Sequence, residues 1–214
     1  MARTLNPSAA TTKAWLTRKR LAAKAKASTG VTAMAFGMDQ VHGRLRVEPV
    51  HQPRYRLPEG RALEAVVQYQ DMSFGLNNAL RRDAQMDPDS KFAKQVELLD
   101  EAIGENVVRE AHLYRALPGS LVKDLSVGDT LSDPAFLSTS SSPVRRWDHM
   151  EERDVLSLII RVPEGTRGLD MNKVMAGAGV DNPFDYQNEV LLGRNTKMRV
   201  TKIDFDAVHV ELED

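Results

Sequence analysis

Four short stretches of this 214-residue chain carry side chains able to do chemistry. In Leu113-Tyr114-Arg115 an arginine follows two apolar residues. A guanidinium set in a strand either faces solvent or forks onto an anion, such as a diphosphate or a ribose oxygen. In Phe136-Leu137-Ser138-Thr139-Ser140 three hydroxyls close a strand. Ser138 there can orient a carboxylate and contact a sugar, while Ser141 or Ser142 can cap a helix beginning near Pro143. In Gln187-Asn188-Glu189, ahead of Val190-Leu191-Leu192, a carboxylate enters an apolar strand. That is unfavourable unless the charge is used or paired; on an exposed edge strand it would serve solubility alone. Strand alternation places Gln187, Glu189 and Leu191 on one side. In Leu76-Asn77-Asn78-Ala79-Leu80-Arg81 the residues Asn77 and Arg81 stand four apart and share a helix face, which an ordinary solvated face also explains.

The elements that must position these groups run from helices to strands. Helical spacing covers Arg61–Tyr69, Gly75–Arg82 and Lys91–Ile103, the last with Phe92, Val96, Leu99 and Ile103 on one face. Strands are expected at Leu113–Leu117, Phe136–Ser140, Val155–Val162, Glu189–Leu192, Lys197–Ile203 and Ala207–Leu212. A short helix is expected over 144–152, and Pro118–Leu131 alternates turns with apolar positions. The Gly-rich stretch Ala176–Tyr186, carrying Phe184 and Tyr186, reads as a loop long enough to serve a purpose. GAGVDN at Gly177–Asn182 is no dinucleotide fingerprint, since no helix follows it. Helices first and strands afterwards indicate an α+β fold. The core is expected to contain Val155, Leu156, Leu158, Ile160, Val190, Leu192 and Ile203.

Charge divides the chain in two. Residues 1–57 hold 11 Lys/Arg against 2 Asp/Glu, and residues 58–214 hold 18 against 28. We therefore expect a basic N-terminal extension and linker over 1–57 and a catalytic domain over 58–214. Within the extension, Thr11–Ala27 has the composition of a cationic helix. It suits a solvated tail, a contact with nucleic acid, an acidic partner or an anionic membrane, or a targeting peptide. Residues 28–60, rich in Gly and Pro, read as a linker with one short strand near Arg44–Val50. There is no cysteine, which excludes disulfides and thiolate metal sites. The five histidines show no metal-ligand spacing, so a mechanism without metal is expected. No apolar run approaches the roughly 20 residues of a bilayer span, and no apolar central region marks a secretory signal. The expected location is cytoplasmic, or inside a host cell after delivery as an effector or phage-borne protein.

Taken in order, the four stretches resemble the R-S-E class of mono-ADP-ribosyltransferases. The likeness is to clostridial Rho-modifying exoenzymes, the catalytic halves of binary actin toxins, and domains of phage structural proteins. It runs from about Tyr69 to Ile203. The resemblance implies a mixed α/β sandwich of two roughly perpendicular sheets with N-terminal helices, using NAD⁺ as substrate and no metal. It implies that Arg115 supports NAD⁺ binding, that Ser138 positions the glutamate and contacts the nicotinamide ribose, and that Glu189 is the catalytic carboxylate. Asn77 and Arg81 match the element holding the adenylate and phosphate side of NAD⁺. Trp147 and Arg153 fall on the phosphate–nicotinamide loop, and Phe184 and Gln187 match the acceptor-recognition turn in the spacing F-x-x-Q-x-E. Where the family commonly has Gly after the strand arginine this chain has Ala116, tolerable only if no positive φ is required there. Leu192-Gly193-Arg194 replaces a frequent L-L-P-R, and Arg115 and Ser138 are joined by a short connection.

The implied reaction separates nicotinamide from ribose, with Glu189 stabilising the ribosyl cation. A Glu two residues before the catalytic one goes with arginine acceptors; Gln187 is uncharged and suits an asparagine-like protein side chain instead. A guanine acceptor in nucleic acid stays open through Gln187 and the basic N-terminus. NAD⁺ glycohydrolysis and a non-catalytic NAD⁺-binding virion component are the alternatives. A monomer is expected.

Overall fold

The computed structural model describes residues 3–4, 55–83, 87–90, 92–119, 122–143 and 155–213. The expected helices at 11–27 and 144–152, the strand near 44–50, and Trp147 and Arg153 lie outside the described residues. Two helices lead into the sheet. Helix α1 spans Gly60–Arg82 without a break, joining the two stretches that the sequence separates. Ala65, Val66, Tyr69, Leu76, Asn77 and Leu80 return every three or four residues and form its buried face. Arg81 and Arg82 lie in the last turn, where cations complement the helix dipole. Helix α2 spans Ala93–Gly104 and buries Val96, Leu99, Ala102 and Ile103.

The described residues form nine strands in one hydrogen-bonded order, β1-β3-β8-β9-β5-β2-β4-β7-β6. They are β1 (Arg3–Thr4), β2 (His112–Pro118), β3 (Thr130–Asp133), β4 (Leu137–Ser140), β5 (Val155–Arg161), β6 (Gly168–Asp170), β7 (Glu189–Leu192), β8 (Thr196–Ile203) and β9 (Ala207–Glu213). The β1–β3 and β5–β9 pairs are parallel and the others antiparallel. The order falls into two halves that meet at one registered pair, Tyr114 on β2 with Ser140 on β4. Leu113, Leu117, Leu158, Ile160, Met198 and Val210 from the larger half pack with Leu137, Val190 and Leu192 from the smaller half in one core. The α+β class is as expected, but the strands are joined in one hydrogen-bonded order across this single junction rather than as two separate sheets. A second core lies on the other side of the smaller half, where Phe136, Leu169 and Leu191 meet Val66, Tyr69, Leu76, Leu80 and Leu99 of the helices. Among the described residues no helix is long and apolar enough to cross a membrane.

Several expectations need correction. Ile203 is 37% exposed, not core. A register shift between Val200 and Lys202 breaks the alternation that buries Met198 and Val200. Val155 and Leu156 are only half-buried; consecutive strand residues point to opposite faces, and only Leu156 packs against the sheet core. Met171–Gly177 forms a short helix, α3, that takes in the first two residues of the expected loop Ala176–Tyr186; it is started by Asp170, whose carboxylate accepts from the Lys173 amide at 3.1 Å. Strands β1, β3 and β6 are further elements that the sequence pattern does not mark. Residues on the N-terminal side of the expected boundary at 58 also pack on the domain, since Arg3 and Thr4 pair with β3 and the described residues 55–57 make contacts of their own. Tyr55 bonds the backbone of Asp170, the backbone of Arg56 pairs with the Asn106 side chain, and Leu57 packs so closely on Gly177 that a Cβ there would lie 2.4 Å from it.

Candidate active site

Alternation on two neighbouring strands builds the centre of the site. Leu137, Val190 and Leu192 turn into the sheet core, so Phe136, Ser138, Glu189 and Leu191 turn toward α1. Pairing of β4 with β7 sets Ser138 opposite Leu191 and Ser140 opposite Glu189. The Ser138 hydroxyl then donates to Glu189 Oε1 at 2.6 Å. Gln70 on α1 donates from Nε2 to the other oxygen, Oε2, at 3.3 Å.

Arg115 comes from the larger half of the sheet. It lies on the same side of β2 as Leu113 and Leu117, which is the buried side, and its side chain is 20% exposed. Its Nη1 donates to the Ser138 carbonyl at 3.1 Å, and its Nη2 lies 3.9 Å from Asp133 Oδ2. Asp133 is fully buried and is gripped by Arg81, through Nε at 3.0 Å and Nη2 at 2.8 Å. The backbone amide of Ala135 donates to the same carboxylate at 3.0 Å. One buried anion thus ties the end of α1 to the arginine of β2.

Next to this group, Tyr69 is buried against Phe136 in an edge-to-face contact, with 5.9 Å between ring centres. Its hydroxyl accepts from Asn77 Nδ2 at 2.9 Å. Asn77 Oδ1 is buried with no hydrogen-bond partner among the described residues, an acceptor left open for a donor on a ligand. Electrostatics follow from burial. Desolvation pushes the Glu189 carboxyl above the usual carboxylate range, while the Ser138 hydrogen bond and the Arg115 charge pull it back. Desolvation lowers the Arg115 guanidinium, opposed by the charge of Asp133. Burial and the nearby Glu189 charge raise the Tyr69 phenol, so it stays protonated.

The structure thus brings Arg115, Ser138 and Glu189 together, with Asn77 and Arg81 alongside. Ala116 sits in regular strand opposite Ser157 without positive φ, so the absent glycine leaves no strain there. Gln187 and Phe184 lie on the approach to β7 rather than in it. Asp185–Gln187 form a single 3₁₀ turn and Asn188 is left-handed, φ 46°. Strand alternation therefore does not reach Gln187, contrary to the sequence reading. The Ser140 hydroxyl bonds the Gln187 carbonyl at 2.8 Å, and the Gln187 amide lies 3.3 Å from the Tyr186 hydroxyl. Phe184 is half-buried, while Tyr186 is 57% exposed. Asp133, Tyr69 and Gln70 were not picked out from sequence. Asp133 carries little signal in the sequence, since in Thr130-Leu131-Ser132-Asp133 it reads as an ordinary polar residue ahead of Pro134.

A family model described as ADP-ribosyltransferase exoenzyme matches residues 58–211. No curated protein sequence matches the chain. Among solved structures it is similar to Plx2a, an ADP-ribosyltransferase toxin from Paenibacillus larvae, with TM-score 0.57 and 18% identity over 73% of this chain and 87% of that one. The C3 exoenzyme of Clostridium limosum gives TM-score 0.56 and 15% identity over 75% and 88%. C3stau2 from S. aureus, solved with NAD, gives 0.58 and 18% over 72% and 87%. At these identities the structural likeness speaks for the fold, and the family match for the chemistry.

Proposed function

The chain belongs to the ADP-ribosyltransferase exoenzyme family, and from that premise we propose that it transfers one ADP-ribose to an asparagine-like protein side chain, using Arg115, Ser138 and Glu189. It is an NAD⁺-dependent mono-ADP-ribosyltransferase, and NAD⁺ is its substrate. In the reaction the bond between the nicotinamide nitrogen and ribose C1′ breaks. The electron pair leaves with nicotinamide and neutralises its ring, so little acid assistance is needed. Positive charge builds on C1′ and the ring oxygen, and the acceptor nitrogen then bonds to C1′ and loses a proton.

Glu189 has the role of anchoring the ribose 2′-hydroxyl and stabilising that charge, which a fixed carboxylate in a water-poor site does strongly. Ser138 holds the carboxylate in place. Arg115 supports the diphosphate side, and Asn77 offers its open carbonyl to the adenylate side. Arg81 commits Nε and one N–H of Nη2 to Asp133, which leaves the Nη1/Nη2 edge of its guanidinium for a phosphate oxygen. Trp147 and Arg153 are assigned to the phosphate–nicotinamide loop on resemblance alone. Gln187, on the same turn as Phe184, is the acceptor-facing residue; its neutral amide can pair with an asparagine amide and gives an arginine no carboxylate to bind.

The observation that carries this assignment is the 2.6 Å hydrogen bond from Ser138 to the half-buried Glu189 carboxylate. Glu189→Gln is expected to lose about two to three orders of magnitude in kcat, by analogy with removal of one charge-stabilising group, while NAD⁺ still binds. Near-normal turnover would defeat the assignment. Labelled NAD⁺ added to a lysate, followed by separate protease and nuclease digestion, tests the acceptor. Label released by protease, on a bond that resists conditions removing arginine-linked ADP-ribose, supports it. Label released by nuclease, or free ADP-ribose alone, points to a nucleic-acid acceptor or to water.

A further inference from the structure

The charge around Glu189 is arranged unevenly. Among the described residues the two groups that donate to its oxygens, Ser138 and Gln70, are both neutral. The nearby cation, Arg115, directs its hydrogen bond to the Ser138 carbonyl and leans toward Asp133. Gln70 stands at the margin of the buried face of α1, next to buried Tyr69 and one turn after buried Val66. A polar residue there for solubility alone would turn outward. Gln70 is half-buried, and its amide faces the carboxylate across the gap between helix and sheet.

We propose that Gln70 is a positioning residue for the reaction: with Ser138 on Oε1 and Gln70 on Oε2, the carboxylate plane of Glu189 is held from the strand and the helix at once. The inference rests on the assignment of Glu189 as the catalytic carboxylate. The choice of an amide has a physical reason. A lysine at 70 would pair with Glu189 and compete with the ribosyl cation for its charge. A glutamate at 70 would repel it. An amide fixes direction and leaves the full negative charge for the substrate. The bond from Gln70 is the longer of the two, as catalytic hydrogen bonds often are before substrate arrives. Oε2 keeps lone-pair capacity for the ribose 2′-hydroxyl.

Other groups act on the same carboxylate. Tyr69 faces it from α1 and remains neutral, Arg115 faces it from β2, and Arg81 and Asp133 form the pair behind Arg115. None of these changes when Gln70 is replaced, so a change in the protonation of Glu189 can be traced to the missing donor.

The test compares the full chain with Gln70→Met, Gln70→Glu and Glu189→Gln, measuring kcat, KM for NAD⁺, the pH profile of kcat and the melting temperature. Gln70→Met keeps the shape and removes the donor. It is expected to lower kcat about three- to ten-fold with KM within about two-fold, and to move the acid limb up by about half a unit to one unit. Gln70→Glu is expected to move the limb further in the same direction. A wild-type kcat and acid limb in Gln70→Met, with Glu189→Gln inactive, overturns the role of Gln70 and leaves that of Glu189 standing. A fall in kcat with an unmoved limb in both Gln70 variants marks a merely structural residue and also overturns it. Turnover that survives Glu189→Gln overturns both assignments.

Discussion

Glu189 carries two opposing demands. Catalysis needs it ionised, and burial disfavours that form, so its carboxyl sits above the usual carboxylate range. A carboxyl raised on folding leaves the native state undisturbed below its unfolded value, where both forms are protonated. As pH rises from the unfolded value through the raised one, the native state must hold a partly desolvated charge and stability falls. Glu189→Gln, neutral at every pH, is therefore expected to melt higher than the parent at pH 7–8, with the gain vanishing toward the pH range of an ordinary glutamate. Wild-type kcat should fall on acidification from a pH higher than an ordinary glutamate would give. Calorimetric melting across pH, beside the rate profile, checks both, and a variant that melts lower at pH 8 contradicts the account. At this scale the sequence was informative where a residue type was out of place for its element: an arginine and a glutamate in apolar strands, and a serine at a strand end. Gln70 and Tyr69 gave no such signal, because a glutamine or tyrosine on a helix is ordinary until its tertiary partner is known.

Among the elements, the tie between α1 and the strands is the most demanding. Arg81 is 5% exposed and Asp133 is not exposed at all. Removing one member of such a pair leaves a buried charge uncompensated, typically about 3–5 kcal/mol. Asp133→Asn keeps the shape and loses the charge. It is expected to unfold at markedly lower denaturant and, because Arg115 leans on the same carboxylate, to weaken NAD⁺ binding. Denaturant unfolding together with NAD⁺ titration checks this; a change under about 1 kcal/mol would mean that water reaches the pair. Long elements were legible because periodicity accumulates, as in the buried face of α1 and the run Val155–Val162. Strands of three or four residues such as β6 and β3, and the seven-residue α3, are too short to show a period. The misplacement of Ile203 has a different origin, since a register shift is fixed by pairing with β9 and leaves no mark in the β8 sequence.

For the molecule as a whole, the α+β class followed from element order, while the folding of the strands into two facing halves came only with resemblance and structure. The separation of basic residues 1–57 from the rest stands as our proposal for two working parts, although Arg3–Thr4 and Tyr55 both contact the second part. A ligand that binds only the folded state stabilises it by about 2.7 kcal/mol at a hundred times its Kd. NAD⁺ at that level is expected to raise the melting temperature by roughly 5–10 °C, and Arg115→Ala should largely abolish the rise. An unchanged melting point for the parent protein would count against NAD⁺ binding.

The junction of Tyr114 with Ser140 has one more consequence. Arg115 follows Tyr114 immediately on one half, and Ser138 and Glu189 belong to the other, so the gap between guanidinium and carboxylate is set by how far the halves open, like the jaws of a caliper. Each half is braced by its own ladder, so a small opening need break few bonds. Substitutions distant from the pocket that prise the jaws apart should therefore register in turnover well before they register in heat resistance.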